Sequence, residues 1–203
     1  DAHFALVLLF VFLGFTTQTV AGFGAMVIAL TLSMQLYPVD LLLPLLVPVS
    51  VIQSTAIVVR HRKDVNWRLI FVTILPVMAL GVAGGLAVAE RVEGPTAKYA
   101  FGALVCVFAS RELWRLRPAA KDATGAPLPS LLGGIGIFGA GLTHGVYACG
   151  GPLLVYVVGR LELSKAVFRA TLTAVFLLLN IGMTTFYVVR GRFGADELPK
   201  LAA

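Results

Sequence analysis

The sequence predicts an all-α polytopic membrane protein with two inverted structural repeats, each of which opens with a Gly-rich broken helical hairpin. Of its 203 residues, 59% are hydrophobic and only 13% are charged, and the mean hydropathy is +0.93. A soluble domain carries charge on about a quarter of its residues. The apolar runs 41–59 and 69–89 lack the alternation of membrane strands and are long enough for helices that cross ~30 Å of hydrocarbon. A Gly-rich segment that occurs twice predicts the repeats.

Eight helices are predicted from the apolar runs between polar or Gly/Pro-containing breaks. They cover residues 4–20, 25–36, 40–59, 67–89, 96–116, 131–147, 152–158 and 165–189. The second and seventh are short. We expect residues 1–117 to form a first half, the polar stretch 118–129 to form a cytoplasmic linker, and residues 130–203 to form a second half that is truncated before further spans.

The duplicated segment is the most informative pattern in the chain. Residues 14–24 reappear as residues 141–151, at a shift of 127 without a gap. The coinciding pairs are Gly14/Gly141, Thr16/Thr143, Ala21/Ala148 and Gly24/Gly151. Non-helical backbone at membrane depth is tolerated only where it is buried in protein or lines a cavity. A pair of interrupted apolar segments in matching halves is typical of a transporter substrate site.

The distribution of basic residues predicts the orientation in the membrane. One group of loops holds most of the 16 Lys and Arg residues, namely Arg60, Arg62, Lys63, Arg68, Arg111, Arg115, Arg117, Lys121, Arg160, Lys165 and Arg169. The positive-inside rule places this group in the cytoplasm. The loop before the third helix carries Asp40 and no basic residue, so it is predicted to lie outside. The corresponding loop before the eighth helix is basic, so it is predicted to lie inside. The two halves are therefore predicted to be inverted. Arg190 and Arg192 would lie outside, against the rule. We expect a multi-pass protein of the cell inner (plasma) membrane.

The glycines of the two breaks predict a site made of backbone. Gly22 and Gly24 precede the second helix, and Gly150 and Gly151 precede the seventh, whose first turn suits Pro152. If both helices start inside the protein, their free N–H groups and positive dipole ends bind an anion without a charged side chain. Close helix packing is the alternative use of these glycines.

Polar side chains beside the breaks are the further candidates. Thr16, Gln18, Thr143 and His144 carry donors for the oxygens of a small oxyanion. The alternative for the threonines is a bond to the carbonyls of their own helix. A neutral His144 is also a candidate proton carrier, although a lone histidine is more often structural.

Two amides occupy matching positions of the third and eighth helices. Gln53 and Asn180 are separated by the same 127 residues, and they are candidate substrate-binding residues. Interhelical hydrogen bonding is the alternative. Arg169, near the start of the eighth helix, is interpreted chiefly as a positive-inside residue that snorkels to the interface.

Several functional classes find no support in the sequence. No metal-ligand spacing, phosphate loop or catalytic constellation is visible, so we expect no cofactor, no metal and no enzyme. The net charge of +6 comes from loops beside membrane segments rather than from a nucleic-acid surface. Cys106 and Cys149 lie in apolar segments and are interpreted as free thiols.

The duplicated hairpin resembles the TauE/SafE family of sulfite and organosulfonate exporters. The residues that carry the resemblance are Gly14, Gly22, Gly24, Gly141, Gly150, Gly151, Pro152 and the stretch 163–171. The family often has a triple glycine, where this chain has Gly-Phe-Gly and a single Gly-Gly pair, which leaves the substrate open. The resemblance implies a membrane exporter or permease made of two homologous halves.

The sequence therefore predicts a secondary transporter for a small sulfur oxyanion such as sulfite or an organosulfonate, bound at broken-helix N-termini near the midplane. The expected partners are the small anionic substrate and the lipid bilayer; a homodimer is left open, and no nucleic acid is expected. An anion channel and a non-transporting scaffold that uses its glycines for packing are the alternatives.

Overall fold

The computed structural model describes residues 2–92, 95–115 and 130–191. The predicted linker 118–129 and the end of the second half, 192–203, lie outside the described residues. Within the described ranges every regular element is helical, as the sequence predicts. The four helices that are long and apolar enough to cross a membrane are Ala2–Ala21, Val39–Arg60, Trp67–Ala89 and Lys165–Val189.

The eight predicted helices are all present, with small shifts in their bounds. We number them α1 (Ala2–Ala21), α2 (Ala25–Ser33), α3 (Val39–Arg60), α4 (Trp67–Ala89), α5 (Pro95–Arg115), α6 (Ser130–Tyr147), α7 (Gly151–Val158) and α8 (Lys165–Val189). A short 3₁₀ turn, Arg62–Asp64, connects α3 to α4. The largest difference is at α2, which ends three residues before its predicted end.

Proline accounts for the irregular turn within α4. Over Ile70–Ile74 the helix widens, and the Leu75 N–H bonds to the Ile70 carbonyl five residues earlier. Pro76 follows directly; it has no N–H for the carbonyl four residues before it, and its ring crowds that carbonyl. A single wide turn relieves this conflict without ending the helix.

Helices α3 and α8 pack antiparallel through the middle of the molecule. Just after α3 ends, the Asn66 N–H donates to Thr171 Oγ1 near the start of α8 at 3.0 Å. Halfway along both helices, Asn180 Nδ2 donates to Ser50 Oγ at 2.9 Å. Val39, at the start of α3, shares a cavity with Tyr187 near the end of α8. The third helix of one half therefore runs against the corresponding helix of the other half.

Glycines hold α4 and α6 in close contact. A Cβ at Gly81 would lie 2.9 Å from the Cα of Gly141, and a Cβ at Gly85 would lie 2.9 Å from the Cα of Gly145. Both pairs are spaced by four residues on their helices, which is the small-residue spacing of closely packed membrane helices. Gly141 thus serves helix packing, the alternative that the sequence left open for the glycines of the duplicated segment.

The two hairpins, α1–α2 and α6–α7, match at a shift of 126 residues. The helix starts match as the pairs Ala25/Gly151 and Val39/Lys165. The last hydrogen bonds of α1 and α6 match as well. The Gly22 N–H donates to the Gln18 carbonyl and the Ala148 N–H donates to the His144 carbonyl, each at 2.7 Å. These pairs lie one residue away from the shift of 127 inferred from the sequence, and the repeat itself stays a prediction. Gly141 packs against α4, whereas Gly14 packs against Ala29 of α2.

We expect Gly85→Ala to destabilise the protein, whereas Gly84→Ala does not. The new methyl group at position 85 would meet the backbone of α6, and overpacking of this kind costs about 1–3 kcal/mol. At Gly84 the nearest atom to an added Cβ is the flexible end of Leu142, at 3.8 Å. Thermal unfolding of the two variants in detergent checks this, and equal melting temperatures would contradict the close α4–α6 packing.

Candidate functional site

The tips of the two hairpins meet in the interior. Phe23, between Gly22 and Gly24, packs on Gly151, where an added Cβ would lie 3.4 Å from Phe23 Cδ2 and 3.6 Å from Phe23 Cβ. The chain can turn here because Gly22 and Gly24 adopt φ values of +84° and +103°, which side chains disfavour. The N-terminal ends of α2 and α7 are thereby brought to one place.

A cavity lies at this meeting point, and we call it the central cavity. It is lined by Gln18, Gly24, Met26, Val27, Ser50, His144, Ala148, Cys149, Gly151, Phe176 and Asn180. None of these residues carries an acidic or permanently basic side chain. The sequence-predicted candidates Gln18, Gly24, His144, Gly151 and Asn180 are therefore brought together from five different helices or helix starts.

A buried hydrogen-bond chain orients His144 in this cavity. The Gly150 N–H points at His144 Nδ1 at 3.4 Å, and His144 Nε2 lies 3.0 Å from Asn180 Oδ1. The Asn180 amide nitrogen in turn donates to Ser50 Oγ. Since Nδ1 accepts, Nε2 carries the proton and donates to Asn180. The ring of Phe176 stacks on the imidazole with centroids 5.7 Å apart.

Gln18 makes the corresponding contact in the first half. Its side chain is 4% exposed, and its Nε2 donates to Ser54 Oγ at 3.1 Å. At the shift of 126, Gln18 corresponds to His144 and Ser54 corresponds to Asn180. Each half therefore places one polar side chain of its first helix on one polar side chain of its third, beside the same cavity.

The remaining predicted candidates lie outside the lining of the central cavity. Thr16 is exposed on α1, and Thr143 Oγ1 is 3.1 Å from the carbonyls of both Gly139 and Ala140 on its own helix. Gln53 donates to the Phe15 carbonyl at 2.6 Å and to Thr19 Oγ1 at 2.9 Å, which ties α3 to α1. Two candidates remain. Gly150 directly precedes α7 and its N–H bonds His144. Gly22 lines a different cavity.

Sequence reasoning missed the two serines of α3. Ser50 and Ser54 are 1% and 0% exposed and accept bonds from Asn180 and Gln18. A signal was present, because small polar residues four apart in an apolar run share one helix face. Serine alone was too common in membrane helices for this spacing to single out a site.

The central cavity combines two features that suit an anion. Helix N-termini present unbonded N–H groups and a positive dipole end, and the cavity adds neutral side-chain donors without a carboxylate. Gly24 and Gly150, the residues that precede α2 and α7, have no side chain that could cap these N–H groups.

The comparison with protein families bears directly on this arrangement. The family model described as Sulfite exporter TauE/SafE matches residues 6–203. The chain belongs to this family. The TauE/SafE resemblance read from the glycine-rich hairpins is thereby confirmed, and membership of the family indicates a membrane transporter of the sulfite or sulfonate type. Neither the search of curated proteins nor the search of solved structures returns a match.

We expect Asn180→Leu to destabilise this TauE/SafE protein. The change leaves the buried His144 N–H and Ser50 hydroxyl without a partner, at about 1–3 kcal/mol for each group. Thr185→Val is the control, because the Thr185 hydroxyl is exposed and bonds only to the carbonyl of Ile181 on its own helix. Thermal unfolding in detergent compares them, and a melting temperature for Asn180→Leu as high as that of the control would contradict the chain of bonds.

Proposed function

We propose that this protein is a secondary transporter, an exporter or permease of the inner membrane, for a small sulfur oxyanion such as sulfite or an organosulfonate. The substrate binds in the central cavity, at the N-terminal ends of α2 and α7. The observation that carries the proposal is the contact of the two hairpin tips, with Phe23 on Gly151, in a family of sulfite-type transporters.

Electrostatics supports an anionic substrate. The backbone N–H groups at two helix starts attract negative charge, and the low dielectric of a buried site strengthens that attraction. Gln18 and Asn180 supply neutral amide donors that choose among oxyanions by the positions of their oxygens, and His144, whose single N–H donates to Asn180, holds that amide in place. A cation would find no carboxylate among the side chains that line the cavity.

The packing of the halves supports inverted repeats. Equivalent helices α3 and α8 run antiparallel, and the hairpins before them meet tip to tip. Repeats of opposite orientation around a central site allow one half to rock against the other, which opens the site to each side of the membrane in turn. The basic ends of α3 and α5 would face the cytoplasm.

An anion channel would use the same residues without alternating access. Flux that saturates and follows a counter-gradient would distinguish the transporter from the channel.

We expect Gly151→Leu to abolish transport while the protein still inserts and folds. An added Cβ already lies 3.4–3.8 Å from Phe23 and Phe176, so the larger side chain occupies the space in front of the α7 N-terminus. Gly182→Leu is the matched control, since nothing lies within 4 Å of a Cβ there. Uptake of radiolabelled sulfite into proteoliposomes is measured for both variants. Normal uptake by Gly151→Leu would contradict a binding site made of backbone at the α7 N-terminus.

A binding screen on the purified protein tests the substrate class. We expect one sulfur oxyanion among sulfite, sulfoacetate, taurine, thiosulfate and sulfate to raise the melting temperature at matched ionic strength, with chloride as the reference. A ligand at 100 times its Kd stabilises the folded state by about 2.7 kcal/mol. Gln18→Ala and His144→Ala should remove the shift, whereas Gln53→Ala, outside the cavity lining, should keep it.

The outcomes separate the proposals. A shift that survives Gln18→Ala and His144→Ala would place the anion elsewhere than in the central cavity. No shift with any of these anions would count against a sulfur substrate and favour a scaffold whose glycines serve packing alone.

A further inference from the structure

A cavity opens at the basic end of the molecule, between the tip of the α1–α2 hairpin and the start of α8. We call it the basic vestibule. Its lining consists of Thr19, Gly22, Ile57, His61, Ala166, Arg169, Ala170 and Thr173. Gly22, at the tip of the first hairpin, belongs to this wall, so the vestibule lies directly beside the segment that leads to the central cavity.

Arg169 is built into the wall of this vestibule. Its Nη2 donates to the Thr19 carbonyl at 2.9 Å, and Thr173 Oγ1, one turn later on α8, lies 3.3 Å from the Gly22 carbonyl. The absence of a side chain at Gly22 permits the approach, because an added Cβ would lie 2.9 Å from the Arg169 Cα. These contacts fix the position of a cation at the mouth of the first hairpin.

Most of the donors of Arg169 remain for a ligand. A guanidinium has five N–H donors in a planar fork that fits a sulfonate or sulfite oxygen pair, as it fits other oxyanions, and the Thr19 carbonyl takes one. No carboxylate among the described residues pairs with Arg169. His61, also in the wall, faces Asp64 instead, with 3.7 Å between Nδ1 and Oδ2.

We propose that the basic vestibule is a second oxyanion site, in which Arg169 binds the substrate on its way to the central cavity from the basic face. This inference rests on the proposed function. The proposal gives a binding role to Arg169, which the sequence assigned chiefly to membrane orientation. It also gives the two faces of the transporter different affinities for the substrate.

The opposite face shows why the affinities differ. At the shift of 126, Arg169 corresponds to Leu43 and Ala166 to Asp40. Leu43 and Asp40 both line a cavity at the other end of α3. In that cavity, the Glu90 carboxylate forms an ion pair with Arg190 at 2.9 Å. The Asp40 carboxylate is exposed. This second vestibule presents apolar and acidic groups where the first presents a guanidinium, so it attracts an anion less.

The test is the half-saturation concentration of sulfite uptake, measured separately from each face. Proteoliposomes of known orientation are loaded from the basic face or from the opposite face with radiolabelled sulfite. For Arg169→Gln we expect the half-saturation concentration at the basic face to rise about tenfold, the order of one charge-assisted hydrogen bond. At the opposite face it should stay within about twofold, and Arg169→Lys should fall in between.

Two controls separate binding from structure. Gly85→Ala overpacks the α4–α6 contact and does not line the vestibule, so it should lower the melting temperature without a change confined to one face. Arg68→Gln removes an exposed basic residue near the same end that does not line the vestibule. It should leave both half-saturation concentrations unchanged.

If Arg169→Gln changes the half-saturation concentration equally at both faces, or at neither, the vestibule site is overturned. Saturable sulfite flux in the unsubstituted protein would still support the proposed transport function. A matching rise for Arg68→Gln would overturn it as well, since general surface charge would then explain the effect. Absence of saturable sulfite flux in the unsubstituted protein would overturn the proposed function and this inference together.

Discussion

The constraint on which the structure depends is that peptide groups within hydrocarbon need partners inside the protein. Unbroken helices meet it by themselves, but the breaks after α1 and α6 do not. The protein satisfies them by bringing both breaks into the interior, where Phe23 lies on Gly151 and the Gly150 N–H reaches His144. The two places where regular structure fails thus meet, and residues at the starts of α2 and α7 line the central cavity.

The rest of the packing holds these breaks in position. Gly81 and Gly85 of α4 bring the first half against α6, so closely that no side chain fits between the backbones. The antiparallel pair α3 and α8 supplies Ser50 and Asn180 from opposite directions, and their hydrogen bond joins the halves beside the cavity. Within a bilayer, where apolar side chains gain little by leaving lipid, such close backbone contact and polar bonds carry the association of helices.

Similar backbones with different side chains give the two halves different chemistry. Gln18 bonds Ser54 in the first half, where His144 bonds Asn180 in the second. The polar groups that the two hairpins bring to the central cavity therefore differ. The two ends of the molecule differ as well, because Arg169 lines one cavity whereas Asp40 and Leu43 line another. Under the proposed function, the substrate would therefore meet different groups from each side of the membrane.

The sequence alone determined the helical membrane class, the eight helices and the glycine-rich breaks, because hydropathy and glycine act locally along the chain. It also selected Gln18, His144 and Asn180, since polar residues in apolar spans are conspicuous. Tertiary structure decided the rest. Only the packing of α4 on Gly141 separated the role of this glycine from that of Gly14. Whether a polar side chain lines a cavity, bonds its own helix or stays exposed depends on which helices surround it, and that separates Ser50 from Thr143 and Thr16.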